Sequence, residues 1–158
     1  TNKFAEQIYS GFVNIRDGLF ENKVIIGGPS FQKTSDALVI NSNAGMSAND
    51  KIYVEGHFIT AMTVDITRFS KLKIDWKNTG SSHPYNYSYF GLSKSKTEAI
   101  GTQSYIVNIT RSFSRMVSEL DVSNLSGSYY IGVSARAESG NTAAYSSNLS
   151  VYKIWLEE

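Results

Sequence analysis

Three tyrosines at every second position, Tyr85, Tyr87 and Tyr89 in "SSHPYNYSYFGLS", open the chemistry of this 158-residue chain. On an extended strand, side chains two residues apart share a face and stand roughly 6–7 Å apart. That is of the order of one sugar ring, and tyrosine offers both a flat face for C–H groups and a hydroxyl for polar ones. Phe90 and Leu92 hold the opposite parity. If those two face a core the tyrosines face outward, and the inverse would expose Phe90 and Leu92 less favourably. The same test places Tyr130 and Arg136 opposite Ile131 and Val133, and Trp155 with Lys153 opposite Ile154. Arg136 could donate paired bonds to adjacent hydroxyls or to a phosphate. The candidate saccharide-binding residues are therefore Tyr85, Tyr87, Tyr89, Tyr130, Arg136 and Trp155, expected to form one shallow groove on the outer, concave face of a sheet.

Catalytic chemistry is poorly supplied. A serine nucleophile needs a base, and the two histidines are His57, read as starting a strand after Gly56, and His83, before Pro84 in a loop. Glu119 and Asp121 lie on one strand roughly 7 Å apart, but acidic pairs facing solvent on strands are common. No phosphate-loop, metalloprotease or EF-hand spacing occurs. The absence of cysteine excludes disulfides, thiol catalysis and cysteine-ligated zinc. The expectation is a protein that is not an enzyme and needs no cofactor. A structural calcium held by backbone carbonyls and scattered carboxylates stays open, because it leaves no pattern.

Short runs of alternating hydrophobicity must position these residues. In "KLKIDWKN", Leu72, Ile74 and Trp76 share one face against Lys71, Lys73, Asp75 and Lys77, so Trp76 is read as core. "FITAMTVDI" aligns Phe58, Met62, Val64 and Ile66. "MVSELDV" aligns Met116, Leu120 and Val122, and "SGSYYIGVSARA" aligns Tyr129, Ile131, Val133 and Ala135. "VYKIWLEE" aligns Tyr152, Ile154 and Leu156. Shorter candidates are 37–41, 51–55 and 104–110. Eight or nine strands with no helix between them predict an all-β, antiparallel β-sandwich of jelly-roll type over residues 21–158. Residues 1–20 differ: Phe4, Ile8, Phe12, Ile15 and Leu19 form a helical stripe, read as a short helix on the sandwich, an N-terminal strand, or a neck to a parent protein or a symmetry mate.

Composition narrows the partners. A net charge of +1 offers no basic field for nucleic acid, and no apolar run is long enough to insert in a membrane. The chain begins with Thr1, without a visible signal peptide, which reads as a piece of a longer protein or a processed chain. Asn-x-Ser/Thr triplets at Asn86, Asn108, Asn124 and Asn148 read as chance products of an Asn-, Ser- and Thr-rich chain.

Two stretches carry a family resemblance. "VDITRFSKLKIDWKNTG" (64–80) and "LDVSNLSGSYYIGVSARA" (120–137) resemble segments that recur in tail, baseplate and receptor-binding proteins of phages infecting Gram-positive bacteria. There they belong to jelly-roll modules similar to carbohydrate-binding modules. "VIIGGPSF" (24–31) resembles the opening of such modules but lacks the tryptophan expected after the glycines. The closing "SVYKIWLEE" is similar too, and together these stretches cover about half the chain. The resemblance implies a non-catalytic module that attaches to cell-surface saccharide, in the virion or at an extracellular surface. It also implies other phage tail proteins as partners and homo-oligomerisation through the parent protein. A structural module docking another virion protein through the exposed aromatics is the alternative. Locally, Asp65 and Thr67 are expected to hold a strand-to-turn corner, and Ser126-Gly127 a tight turn.

Overall fold

In the computed structural model, residues 20–48, 50–82, 84–97, 100, 103 and 105–158 are described. The helical stripe of the first nineteen residues and His83 lie outside them. Eleven strands follow in order: β1 (Phe20–Ile26), β2 (Ser30–Lys33), β3 (Leu38–Ala44), β4 (Tyr53–Thr60), β5 (Val64–Asp65), β6 (Lys71–Asn78), β7 (Asn86–Ser93), β8 (Ile106–Asn108), β9 (Ser112–Asp121), β10 (Ser128–Glu138) and β11 (Tyr145–Glu157). One sheet runs β1-β4-β10-β7-β8, with β5 pairing the start of β10; the other runs β2-β3-β11-β6-β9. All pairings are antiparallel. No α-helix occurs among the described residues. The chain passes repeatedly between the two sheets, as a β-sandwich of jelly-roll type requires.

Period-two alternation fills the space between the sheets. Phe58, Phe90, Leu92, Ile131 and Val133 from the first sheet meet Leu72, Ile74, Trp76, Leu149, Val151 and Ile154 from the second in one cluster. Trp76 is only 3% exposed, and its indole N–H donates to Ser118 Oγ at 2.9 Å. Gly56 does not end a strand. It faces Phe31, which a Cβ there would strike at 2.7 Å, and Phe31 packs edge-on against Phe58.

Toward the Asn86 end of β7 the interlayer turns polar. Asn78 Nδ2 donates to Ser88 Oγ at 2.9 Å and to Ser147 Oγ at 3.1 Å, linking the two sheets. Asn86 Nδ2 donates to the carbonyls of Ser81 and Thr110, each at 2.8 Å. Ser42 Oγ reaches the Ala135 carbonyl at 2.9 Å. Buried polar groups must be paired, and paired across the gap they fix how one sheet sits over the other.

The two resembling stretches meet at one corner. Asp65 Oδ1 accepts from the Thr67 amide and hydroxyl, and Thr67 Oγ1 accepts from the Gly127 amide at 2.8 Å. The Ile66 amide donates to the Gly127 carbonyl, and Val64 and Asp65 pair with Tyr129 and Ser128. Gly127 has φ +91°, which a side chain would strain. Asp121 repeats the device with Ser123. These hydroxyl and then amide bonds hold both carboxyls below their ordinary 3.8.

Two parity expectations are corrected, and a third holds in direction but not in burial. Met62 falls in the turn between β4 and β5 and is 77% exposed, not core. The register of β11 on β6 shifts between Val151 and Lys153, so Val151 takes the core position and Tyr152 is left over. Tyr152 lies under Arg115, whose guanidinium stands 3.9 Å from its ring centre. Met116 points inward opposite Trp76 but stays half exposed, because β9 is an edge strand.

Candidate functional site

The outer face of the first sheet is built from three neighbouring strands. Cross-strand partners put Tyr87 beside Arg136 and Arg136 beside Glu55; Tyr89 beside Ser134 and Ser134 beside His57. Glu138 stands beside Tyr53, and its amide donates to the Tyr85 carbonyl. Tyr87, Tyr89, Tyr130 and Arg136 therefore share one face, as their parity predicts, while Tyr85 lies just before β7, at its end. Trp155 does not join them. It lies on β11, on the outward side of the other sheet, beside Lys73.

Arg136 is the centre of this face. Its guanidinium stands 4.5 Å from the Tyr53 ring centre. Its ion pairs are long, Nη1 to Glu55 at 3.5 Å and Nη2 to Glu138 at 3.7 Å. Lys51 approaches Glu138 at 3.8 Å. Beneath, Glu55 Oε2 and His57 Nε2 lie 2.5 Å apart with both side chains nearly inaccessible. Among the described residues, His57 Nδ1 and Arg136 Nε have no hydrogen-bond partner. Burial, then the negative charge of Glu138, pushes the Tyr87 hydroxyl above its ordinary value. The positive charges of Lys51 and Arg136 are matched by Glu55 and Glu138, which leaves a polar, charge-balanced patch walled by tyrosines. Tyr85 closes one end: its ring stacks on Tyr145 at 3.9 Å and 7°.

Tyr130 belongs to a different end of the same face. Six residues of strand separate it from Arg136, roughly 20 Å. Gly132 and Gly91 are partners between them. Ile100, from the β7–β8 connection, is buried on Gly132, where a Cβ would come within 3.0 Å of its Cδ1. Lys96 continues this cover: it pairs with Glu21 at 2.7 Å, donates to the Ala61 carbonyl, and lies 5.8 Å from the Tyr130 ring. Lys23 donates to the Lys96 carbonyl. One groove from Tyr85 to Tyr130 is thus not formed. The connection divides the face, and the accessible part is Tyr53, Tyr85, Tyr87, Tyr89 and Arg136.

The β4 residues Tyr53, Glu55 and His57 were missed as site residues. Their period-two spacing in "YVEGH" is the signal that could have found them, and reading Gly56 as a strand start hid it. Glu119 and Asp121 are occupied locally: Glu119 pairs with Lys71 at 3.1 Å and Asp121 caps the Ser123 turn. Lys73 holds Glu157 below its ordinary value, with a further hydrogen bond from Trp155. Among the described residues no cluster of three or more His, Asp or Glu could hold a metal ion.

No protein-family model matches the chain, and no curated protein is significantly similar to it in sequence. Solved structures are similar in fold. The glycoside hydrolase domain of Endo-D from Streptococcus pneumoniae matches at TM-score 0.59 and 12% identity over 87% of this chain, which spans only 21% of that one. A family 11 carbohydrate-binding module from Clostridium thermocellum, in complex with a β-1,3-1,4-mixed-linked tetrasaccharide, matches at TM-score 0.50 and 15% identity over 88% of both chains. The enzymatically active domain of tailspike protein 4 of bacteriophage CBA120 matches at TM-score 0.52 and 11% identity over 96% of this chain and 20% of that one. At such identities the likeness is one of fold: the chain has the β-sandwich of carbohydrate-binding modules.

Proposed function

We propose that the chain is a non-catalytic carbohydrate-binding module whose site is the accessible part of the first sheet's outer face. Tyr87 and Tyr89 supply ring faces and Arg136 the donor fork, with Tyr85 and Tyr53 at the border. The observation that carries this is the side-by-side placement of Tyr87 and Arg136 over a buried Glu55–His57 pair. Rings fixed on a rigid sheet lose little freedom on binding. A shallow face desolvates little area, so affinity is on the order of micromolar to millimolar. The family 11 module, of similar length and fold, was solved with an oligosaccharide bound, which supports the reading.

The resembling stretches at 64–80 and 120–137, with the tailspike likeness, favour a setting in a phage tail. There the module would serve as an accessory or receptor-binding element that attaches to saccharides of a Gram-positive surface, its place being the virion. A glycan array with the purified chain tests this. Binding abolished by Tyr87→Ala with Tyr89→Ala, at unchanged melting temperature, supports it. Absence of glycan binding together with a stable complex with a tail protein would favour the docking alternative.

A further inference from the structure

We infer that strand β9 pairs with β9 of a second copy of this chain, about a two-fold axis through Val117. Sheet edges present unpaired backbone groups, and proteins blunt them by shortness or by bulges. Two of the four edges are blunted by shortness, β8 with three residues and β2 with four, and β1 has seven residues with a register shift between Val24 and Ile26. β9 has ten residues; its register with β6 shifts between Trp76 and Asn78, where Phe113, Ser114 and Arg115 face the single Lys77, and is unbroken from Met116 to Asp121. Nothing among the described residues pairs with its far side, and Val117 is 54% exposed.

The occupant follows from charge. A two-fold axis normal to the sheet at Val117 sets Val117 against its own copy, Arg115 against the partner's Glu119, and Glu119 against the partner's Arg115. Arg115 already bonds Asp75 at 2.6 Å and Glu119 bonds Lys71 at 3.1 Å on that face. The pairing thus completes a ladder of alternating sign, Asp75, Arg115, the partner's Glu119, the partner's Lys71. Opposite charges directly across strands stabilise an antiparallel pair. Shifting the axis to Ser118 would set Arg115 against the partner's Asp121, which already serves the Ser123 turn, and Val117 against the partner's Glu119. The result is a ten-stranded continuous sheet. Because the axis is normal to it, both first sheets lie on the same side and both Arg136 faces look the same way. On the saccharide-binding reading, that makes the pair bivalent toward a surface.

The absence of cysteine allows a clean test. Sedimentation of the full chain should show a monomer–dimer equilibrium with a constant on the order of micromolar to hundreds of micromolar, since an edge pairing is small. Val117→Cys should form an interchain disulfide on mild oxidation, and Ser118→Cys at least tenfold less. Val117→Lys should be monomeric throughout that range with an unchanged melting temperature. A monomeric parent chain, cross-linking at 118 in preference to 117, or a persistent Val117→Lys dimer would each overturn the inference.

Discussion

Tyr87 and Arg136 are register partners across β7 and β10, so a phenol and a guanidinium leave the sheet side by side. Arg136→Lys keeps a positive charge near Glu55 and Glu138 but loses the planar fork. Glycan affinity should fall about tenfold, roughly 1.4 kcal/mol, with the fold intact by circular dichroism. Equal affinity of the two proteins by calorimetry would remove Arg136 from the site.

Trp76 fills the centre of the sandwich and bonds Ser118. Trp76→Ala should lower the free energy of unfolding by about 3–5 kcal/mol, read from a urea titration. A loss below about 1 kcal/mol would contradict the packing, since a cavity of that size cannot collapse so cheaply.

Gly132 gives Ile100 its seat. Gly132→Val should displace the β7–β8 connection and cost about 1–3 kcal/mol through overpacking. Amide exchange near Lys96 and Tyr130 should then accelerate, while the Tyr87 end keeps its protection. Uniform acceleration over the whole sheet would show that the connection is not a separate unit.

Asp65 and Asp121 are held below 3.8 by Thr67 and Ser123. With the folded value lower than the unfolded one, the unfolded chain binds more protons, so stability is present above about 3.8 and is lost as pH falls below it. The melting temperature of Asp65→Asn should depend less on pH than that of the parent chain between about pH 5 and 2. Parallel curves would mean that the Thr67 bonds do not discriminate between the folded and unfolded carboxylate.

Where the two faces of a strand meet different surroundings, the sequence carried the structure. Leu72, Ile74 and Trp76 against Lys71, Lys73 and Asp75 allow one register only, and Phe90 and Leu92 against three tyrosines orient β7. Parity failed where an extra residue breaks it, as at Tyr152, whose displacement depends on the register with β6 and has no local signature. It also failed as a guide to accessibility. Tyr130 faces outward as expected, yet Lys96, more than thirty residues away in sequence, lies against it. Trp155 faces outward as well, but which sheet a strand joins is decided by partners that periodicity does not name. His57 was misplaced because Gly56 reads as a break, although it only makes room for Phe31.

The Asn86 side chain has a practical consequence for producing the protein. Asn86-Tyr87-Ser88 is an acceptor triplet for N-glycosylation, yet Asn86 Nδ2 is buried and donates to two carbonyls. In a eukaryotic secretory host the oligosaccharide would be added to this nitrogen before β7 is enclosed, and a glycan has no room between the sheets. Chains modified there should fail to fold, in proportion to occupancy. Removing the triplet with Ser88→Ala is no remedy, because Ser88 Oγ is one of the atoms that ties the two sheets together. Bacterial cytoplasm, where no such transfer occurs, is the host that this polar layer dictates.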